Sequence, residues 1–366
     1  MNLELSDELI ALRDTVRTFL SERAPVSTYV RPMLEDDTGT TDVVWRGLAG
    51  LGVTGLLIPL EHDGAGMTMV EAGVVAEELG AGLYPGPWLS SAVAAARALT
   101  RFEVPPDVAA PLLAGIADGS TIATVGPLEG PRPAVGDGGT AVVLRGEMDG
   151  VWDVASADVL LVVADDRDGT GLFAVQPTAD GVASTLQAGI DQTRKRFHVI
   201  LDDAPARRLG SVSPENFEDL VDDVTIAWAA DALGAARALM NLVVEYAKVR
   251  RQFGQPIGAF QAVQHLCVDI YETVELARSG VIHAMWAADA GDRSERHAAA
   301  MRTKAFASRL ATVGDTAIQL FGGIGYTWEH DAHLYLKRLL NWSVFLDGSD
   351  RYLVQLGAEF AASVLG

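Results

Sequence analysis

Arg250, Arg251 and Phe253 lie within one short run of AKVRRQFGQPIGAFQAVQ, residues 247–264. Arginine presents a rigid, planar fork of donors that matches phosphate oxygens, and a phenyl ring beside it offers a flat apolar surface. Together with Gln252 they are suited to a planar, anionic ligand. The same residue types also suit a plain helix C-terminus, where basic side chains meet the negative end of the helix. A second stretch bears on that choice. Gln319, Gly322 and Gly323 stand in QLFGG, and paired glycines either let a ligand approach the backbone closely or simply stop a helix. His330 and His333, near Glu329 and Asp331, suggest a metal site, but no HExxH pattern or cysteine accompanies them. The expectation is no metal, with both histidines on a surface or interface.

Helices must hold these groups. Ala229, Ala232, Leu233, Ala236, Leu239, Met240, Val243 and Ala247 recur at steps of three and four, the spacing of one apolar helix face. That helix is expected to begin near Asp222 and Asp223 and to finish near Arg250 and Arg251, with charges complementing its two ends. Gly254, Pro256 and Gly258 break it, and a further helix starts at about Phe260. Ala305, Ser308, Ala311, Thr312 and Asp315 to Leu320 predict one helix stopping at the glycine pair.

Upstream, helical stripes run through Leu5, Leu9, Leu12, Val16 and Leu20, from Val43 to Leu51, from Met69 to Leu79 and from Ser90 to Leu99, the last closed by Pro105 and Pro106. IPLEHDGAG, residues 58–66, reads as a loop. Short β-branched segments follow: Thr121 to Gly126, Thr140 to Leu144, Asp158 to Val163, Gly171 to Gln176 and Arg196 to Leu201. Asp202 to Pro214, with its prolines and charges, reads as a connector. The result is an α+β chain of three domains: helical over 1–118, β over 119–211 and helical over 212–366.

Bulk properties narrow the function classes. At 366 residues and 49% hydrophobic content the chain holds a sizeable core, which excludes a disordered protein. A formal net charge of −21 argues against nucleic acid or an anionic membrane surface as partner. Cys267 is the single cysteine and forms no internal disulfide, the start MNLELSDELIALRD lacks the blocks of a signal peptide, and no uninterrupted apolar run is long enough to span a membrane. A cytoplasmic address is expected.

The order helical, small β, helical, together with IPLEHDGAG, RRQFGQPIGAFQAVQHL and QLFGGIGYTWEHDAHLYLKR, resembles the acyl-CoA dehydrogenase family over nearly the whole chain. The two C-terminal motifs lie about 65 residues apart, and the pair is far more specific than either alone. The resemblance implies an N-terminal helical domain, a middle β-barrel or sandwich and a C-terminal four-helix bundle. It implies FAD between subunits, with Arg250, Gln252, Phe253, Gln319, Gly322 and Gly323 holding the adenosine diphosphate part of a neighbour's cofactor. It further implies an acyl-CoA substrate, α,β-desaturation by proton and hydride removal, and an acceptor like electron-transfer flavoprotein.

Two departures shape the expectation. Most family members place a catalytic Glu in a Tyr-Glu-Gly motif, and the matching stretch here is FLDGSDRY, with Asp347 at that place. Asp is one methylene shorter, and a base displaced by about 1 Å loses roughly 100-fold in rate. Other members carry the Glu about 26 residues before the corner's first Arg, where this chain has Val224, which takes no proton; Asp222 and Asp223 close by suit helix caps. In the β region, ATVGPLEGPRP, residues 123–133, stands where relatives have a Thr-Glu-Pro-Gly-x-Gly-Ser loop, and VWDVASAD leaves only Trp152 as an aromatic that would cover a flavin or fill a core. The half of the site lent to a neighbour is thus intact and the half kept at home is worn. The expectation is one subunit of a heterotetramer acting on steroid side-chain CoA thioesters, as in actinobacterial two-gene enzymes. A homotetramer using Asp347, and a helical scaffold without flavin, are the alternatives.

Overall fold

The computed structural model describes residues 4–136 and 142–365. Helix α1 (Asp7–Arg23) starts where the Ser6 hydroxyl accepts the Leu9 amide at 3.4 Å, and Thr41 caps α3 (Asp42–Gly50) in the same way. Between them lies the short α2 (Arg31–Met33). Helix α4 (Met69–Ala81) follows, and a π-helical stretch, Leu89–Ala95, runs into α5 (Ala96–Arg101). Pro105 and Pro106 do more than close that helix: Pro106 opens α6 (Pro106–Ala117), an element missing from the sequence reading, because a proline in the first turn gives up an amide that has no partner there.

The β region comprises β1 (Ala123–Gly126), β2 (Ala134–Gly136), β3 (Val143–Trp152), β4 (Val159–Asp166), β5 (Gly169–Val175), β6 (Val182–Leu186) and β7 (Arg196–Ser211). Thr140 and Ala141, expected in a strand, lie outside the described residues. Strands β4, β2, β3, β7 and β5 pair in turn and β5 returns to β4, closing a barrel, with β1 added on β4 and β6 on β7. Leu144, Met148, Val162, Phe173, Phe197 and Val199 fill its interior. The expected connector from Asp202 is a correction: β7 continues through it to Ser211, with Pro205 opposite Val143 at the end of β3.

Helix α7 (Pro214–Val249) is the longest element. It begins eight residues before the place expected, with the Ser213 hydroxyl accepting the Asn216 amide at 3.0 Å. Asp222 and Asp223 are therefore buried helix-interior residues and not caps, and Asp223 takes Arg101 at 3.0 Å and Arg97 at 3.4 Å. By length and composition α7 would cross a membrane, but 72% of its apolar window is buried inside the protein, as in a core helix. The hairpin strands β8 (Arg251–Gln252) and β9 (Gln255–Pro256) follow, then α8 (Gln261–Ala290), α9 (Arg293–Ala307), α10 (Leu310–Phe321), α11 (Ala332–Val344) and α12 (Ser349–Leu365). The single helix expected from Ala305 is two, α9 and α10, meeting at Ser308 and Arg309.

Contacts group the chain into two compact units. One takes residues through Ser27, Gly73–Tyr84 and Thr225 onward; the other takes Thr28–Ala72 and Pro85–Val224. In the first, α4 and α7 cross so closely that a Cβ on Gly80 would collide with the Asp231 carbonyl and one on Gly234 with the Glu77 carbonyl. Arg338 of α11 reaches the same crossing: its guanidinium donates to both Asp231 oxygens at 2.9 and 2.8 Å and to the Tyr84 carbonyl at 3.1 Å.

In the second unit, Lys195 is buried and donates to the Met33 and Leu34 carbonyls at 2.8 and 3.1 Å. The adjoining turn is tied by Asp36, which accepts the Thr38 and Gly39 amides and the Thr38 hydroxyl. Burial pushes the Asp36 carboxyl up, but these hydrogen bonds outweigh it and hold it below the ordinary 3.8. A carboxyl depressed on folding stabilises above its unfolded value and loses that contribution as pH falls through its folded value. Asp36→Asn is expected to be less stable than wild type at neutral pH by no more than about 1 kcal/mol. Urea unfolding at stepped pH should show the gap closing below pH 3.8.

Candidate functional site

The basic corner is a hairpin, not a frayed helix end. The Arg250 amide makes the last α7 bond, to the Tyr246 carbonyl at 2.8 Å, so Arg250 and Arg251 stand just beyond the helix. Arg251 pairs with Pro256 and Gln252 with Gln255, which leaves Phe253 and Gly254 as a two-residue turn. Both have positive φ, 49° and 84°. Such turns match strand twist but strongly favour Asn or Gly at the first central position. Phe253 is strained there and 93% exposed, with the edge of Phe260 6.1 Å from its ring.

The two arginines part company. Arg251 turns inward and donates to the Gly254 carbonyl at 2.9 Å, stiffening the hairpin. Arg250 is exposed, and no acceptor among the described residues takes its guanidinium. The Gln252 side chain is likewise exposed. Under the corner Val244, Ala247, Pro256, Ala259 and Val263 line an apolar hollow of about 510 Å³, an element that the sequence reading missed. Cys267 borders it, and burial pushes its thiol up, away from reactivity.

The glycine turn is built by α10. Gln319 is exposed in its last turn, and the chain leaves the helix through Gly322 at φ 65° and ψ −146°, a conformation open to glycine alone. Gly323 differs: its φ is ordinary and an added Cβ would meet open space. Nothing within 4 Å of that Cβ requires glycine there.

Corner and turn are brought to one place through a link that the sequence did not suggest. Tyr246, one turn before Arg250, lays its ring against Phe321 at 4.9 Å and donates its hydroxyl to the Phe321 carbonyl at 3.4 Å. No hydrogen bond or ring contact joins Arg250, Gln252 or Phe253 directly to Gln319, Gly322 or Gly323. The His330 ring lies tilted against Phe321 at 4.4 Å and accepts the Ala332 amide, whereas His333 is buried beside Trp328, a correction to its expected place on a surface or interface.

Asp347 stands apart from this cluster. Leu346 and Asp347 both have positive φ, 51° and 78°, and the Asp347 carboxylate accepts the Gly348 amide at 2.7 Å and faces Arg351 at 3.8 Å. Its side chain is 59% exposed. Val224 is fully buried in α7, and Trp152 is a core residue with Arg196 over its ring at 5.3 Å.

Residues 6–103 match the family profile described as acyl-CoA dehydrogenase, N-terminal domain, and residues 224–360 the one described as acyl-CoA dehydrogenase, C-terminal domain. Acyl-CoA dehydrogenase IpdE2 of Mycobacterium tuberculosis is 32% identical over 360 residues, covering 96% of this chain and 97% of that protein. The chain belongs to the acyl-CoA dehydrogenase family. The family's members are oxidoreductases acting on CH–CH groups and normally use FAD. Acyl-CoA dehydrogenase FadE34 of the same organism is 34% identical across 98% of this chain, which spans about half (49%) of that relative's length. Among solved structures, a variant of the Tcur3481-Tcur3483 steroid acyl-CoA dehydrogenase superposes with TM-score 0.88 at 30% identity, covering 98% of this chain and 99% of that one. The ChsE4-ChsE5 complex from Mycobacterium tuberculosis gives 0.88 at 27% identity, covering 99% of each. The helical, barrel and helical regions described above are the fold of this family.

Proposed function

We propose that this chain is one subunit of a heteromeric acyl-CoA dehydrogenase that desaturates steroid side-chain CoA thioesters, lending its basic corner and glycine turn to FAD seated in a second dehydrogenase subunit. One observation carries the reading: Arg250 and Phe253 stand exposed and unsatisfied on a strained hairpin that Tyr246 and Phe321 tie to the glycine turn. The residues fit a dinucleotide tail. Arg250 has free donors for a phosphate, Phe253 a bare ring for a flat group, Gln319 a free amide, and Gly323 a backbone that nothing in this chain shields. Gln252 stands beside Phe253 as a further polar contact, and Gly322 supplies the bend that presents Gly323. The chemistry that FAD supplies when bound is acceptance of the hydride from the β carbon of the thioester.

Tyr326, which follows the glycine turn, is exposed as Phe253 is, and exposed aromatics suit burial by another subunit. The steroid reading is supported by the names of the relatives alone. In the same proposal the chain works in the cytoplasm, passes electrons to an acceptor like electron-transfer flavoprotein, and divides functionally at 118/119 and 211/212. The runner-up is a homotetramer with Asp347 as base; against it stands a carboxylate turned to solvent and engaged by Gly348 and Arg351.

Co-expression with a second acyl-CoA dehydrogenase subunit encoded beside this chain, where one is found, followed by flavin counting, tests the reading. One flavin per two chains is the expected result, with this chain colourless when purified alone. One flavin per chain from the isolated protein would overturn it.

A further inference from the structure

We propose that the first compact unit holds a binding site for a small amphipathic carboxylate, an apolar body with one anionic head, in the hollow where α1, α4 and α7 meet. The hollow measures about 480 Å³, within the range of pockets that take small organic ligands. Every residue lining it belongs to that one unit. Small side chains leave the space where the three helices converge: Ser21 and Ala24 at the end of α1, Ala81 at the end of α4 and Ala238 within α7. Leu20 and Val26 add an apolar wall. At Val26 the chain enters a five-residue π-helical turn, Val26–Val30, a rare form that recurs at functional sites.

One end of the hollow is polar, and its charges favour an anion. Glu78, only 3% exposed, accepts Arg17 through both oxygens at 2.9 Å, and Arg237 adds a third bond to the same carboxylate at 2.6 Å. Two guanidiniums thus share one buried carboxylate, which has little left for a cation. Arg237 Nε also faces Glu77 at 2.9 Å, but burial pushes the Glu77 carboxyl up, so its negative charge is held less firmly. Asp14 stands 3.7 Å from Arg17 and is half exposed, where water screens it. Donors remain for a ligand. Among the described residues, Arg237 Nη1 and the Asn241 side-chain amide have no hydrogen-bond partner, and Arg17 Nη1 has only the long approach to Asp14. A carboxylate taken by such donors gains charge-assisted hydrogen bonds, while Leu20, Val26 and Ala238 cover an alkyl body. The Arg17 side chain is 47% exposed, so the polar end is open to entry from solvent.

Isothermal titration of the full chain with octanoate, and with octanamide as its uncharged twin, tests the site. One saturable site per chain is expected with a Kd of about 0.1–1 mM, and octanamide should bind at least about ten-fold more weakly. Ala238→Phe fills the hollow without touching a charge and should weaken octanoate binding by about ten-fold or more. Arg17→Met removes one guanidinium while Arg237 still holds Glu78, and should cost octanoate about ten-fold while leaving octanamide unchanged. Equal binding of acid and amide would overturn the proposal, as would undiminished binding by a folded Ala238→Phe or no saturable heat up to about 10 mM octanoate. Should Ala238→Phe fail to fold by circular dichroism, Ser21→Leu, at an exposed position lining the same hollow, carries the same comparison. Flavin content and subunit count do not enter these outcomes, so they stand apart from the heteromeric reading.

Discussion

Replacing Arg338 by alanine is expected to destabilise the protein by about 3–5 kcal/mol, the loss typical of a buried ion pair from which one partner is removed. The side chains of Arg338 and Asp231 are 2% and 4% exposed, so truncation takes a bidentate counter-charge from a buried carboxylate and a donor from the Tyr84 carbonyl as well. The paired replacement Arg338→Met with Asp231→Leu should recover most of that loss, because the desolvated charges vanish together. Chemical denaturation of the three proteins decides the matter. An Arg338→Ala midpoint equal to wild type would mean that the pair contributes nothing.

Arg250→Ala is expected to weaken flavin retention by the co-expressed complex by about 10- to 100-fold, since a hydrogen bond to a charged group is worth about 1.5–3 kcal/mol. Arg251→Ala is the matched control. Its guanidinium already serves the Gly254 carbonyl, so its removal should loosen the hairpin and reduce retention far less. Released flavin fluorescence on serial dilution measures both. Equal losses for the two arginines would show that the corner acts through net charge alone.

Much of this architecture was legible as periodicity. Leu9, Val16 and Leu20, or Ala229 through Val243, repeat at helical spacing because one face must be buried, and burial is what the pattern records. The failures have a common physical source. Asp222 and Asp223 read as caps because their local surroundings suit a helix start; the partner that explains Asp223, Arg101, lies 122 residues away. Pro205 and the charges around it read as a connector, although Pro205 lies within β7, opposite Val143 at the end of β3, and a proline is tolerated where no ladder bond is needed from its nitrogen. At the site, residue types showed what Arg250, Phe253 and the glycines are suited to. Their roles differed in ways that only geometry reveals: Arg251 folds back, Arg250 stays free, and Gly322 answers to its own backbone whereas Gly323 does not.

The reciprocal notch where Gly80 and Gly234 each face the other helix's carbonyl limits how the molecule can diverge. A single methyl at either position would wedge α4 from α7, and the wedge would reach Asp231 and hence its grip on Arg338 of α11. Three helices are therefore mortised at one joint. Sequence drift is free to rewrite their outer faces, but lineages that enlarge the joint must re-pitch all three together.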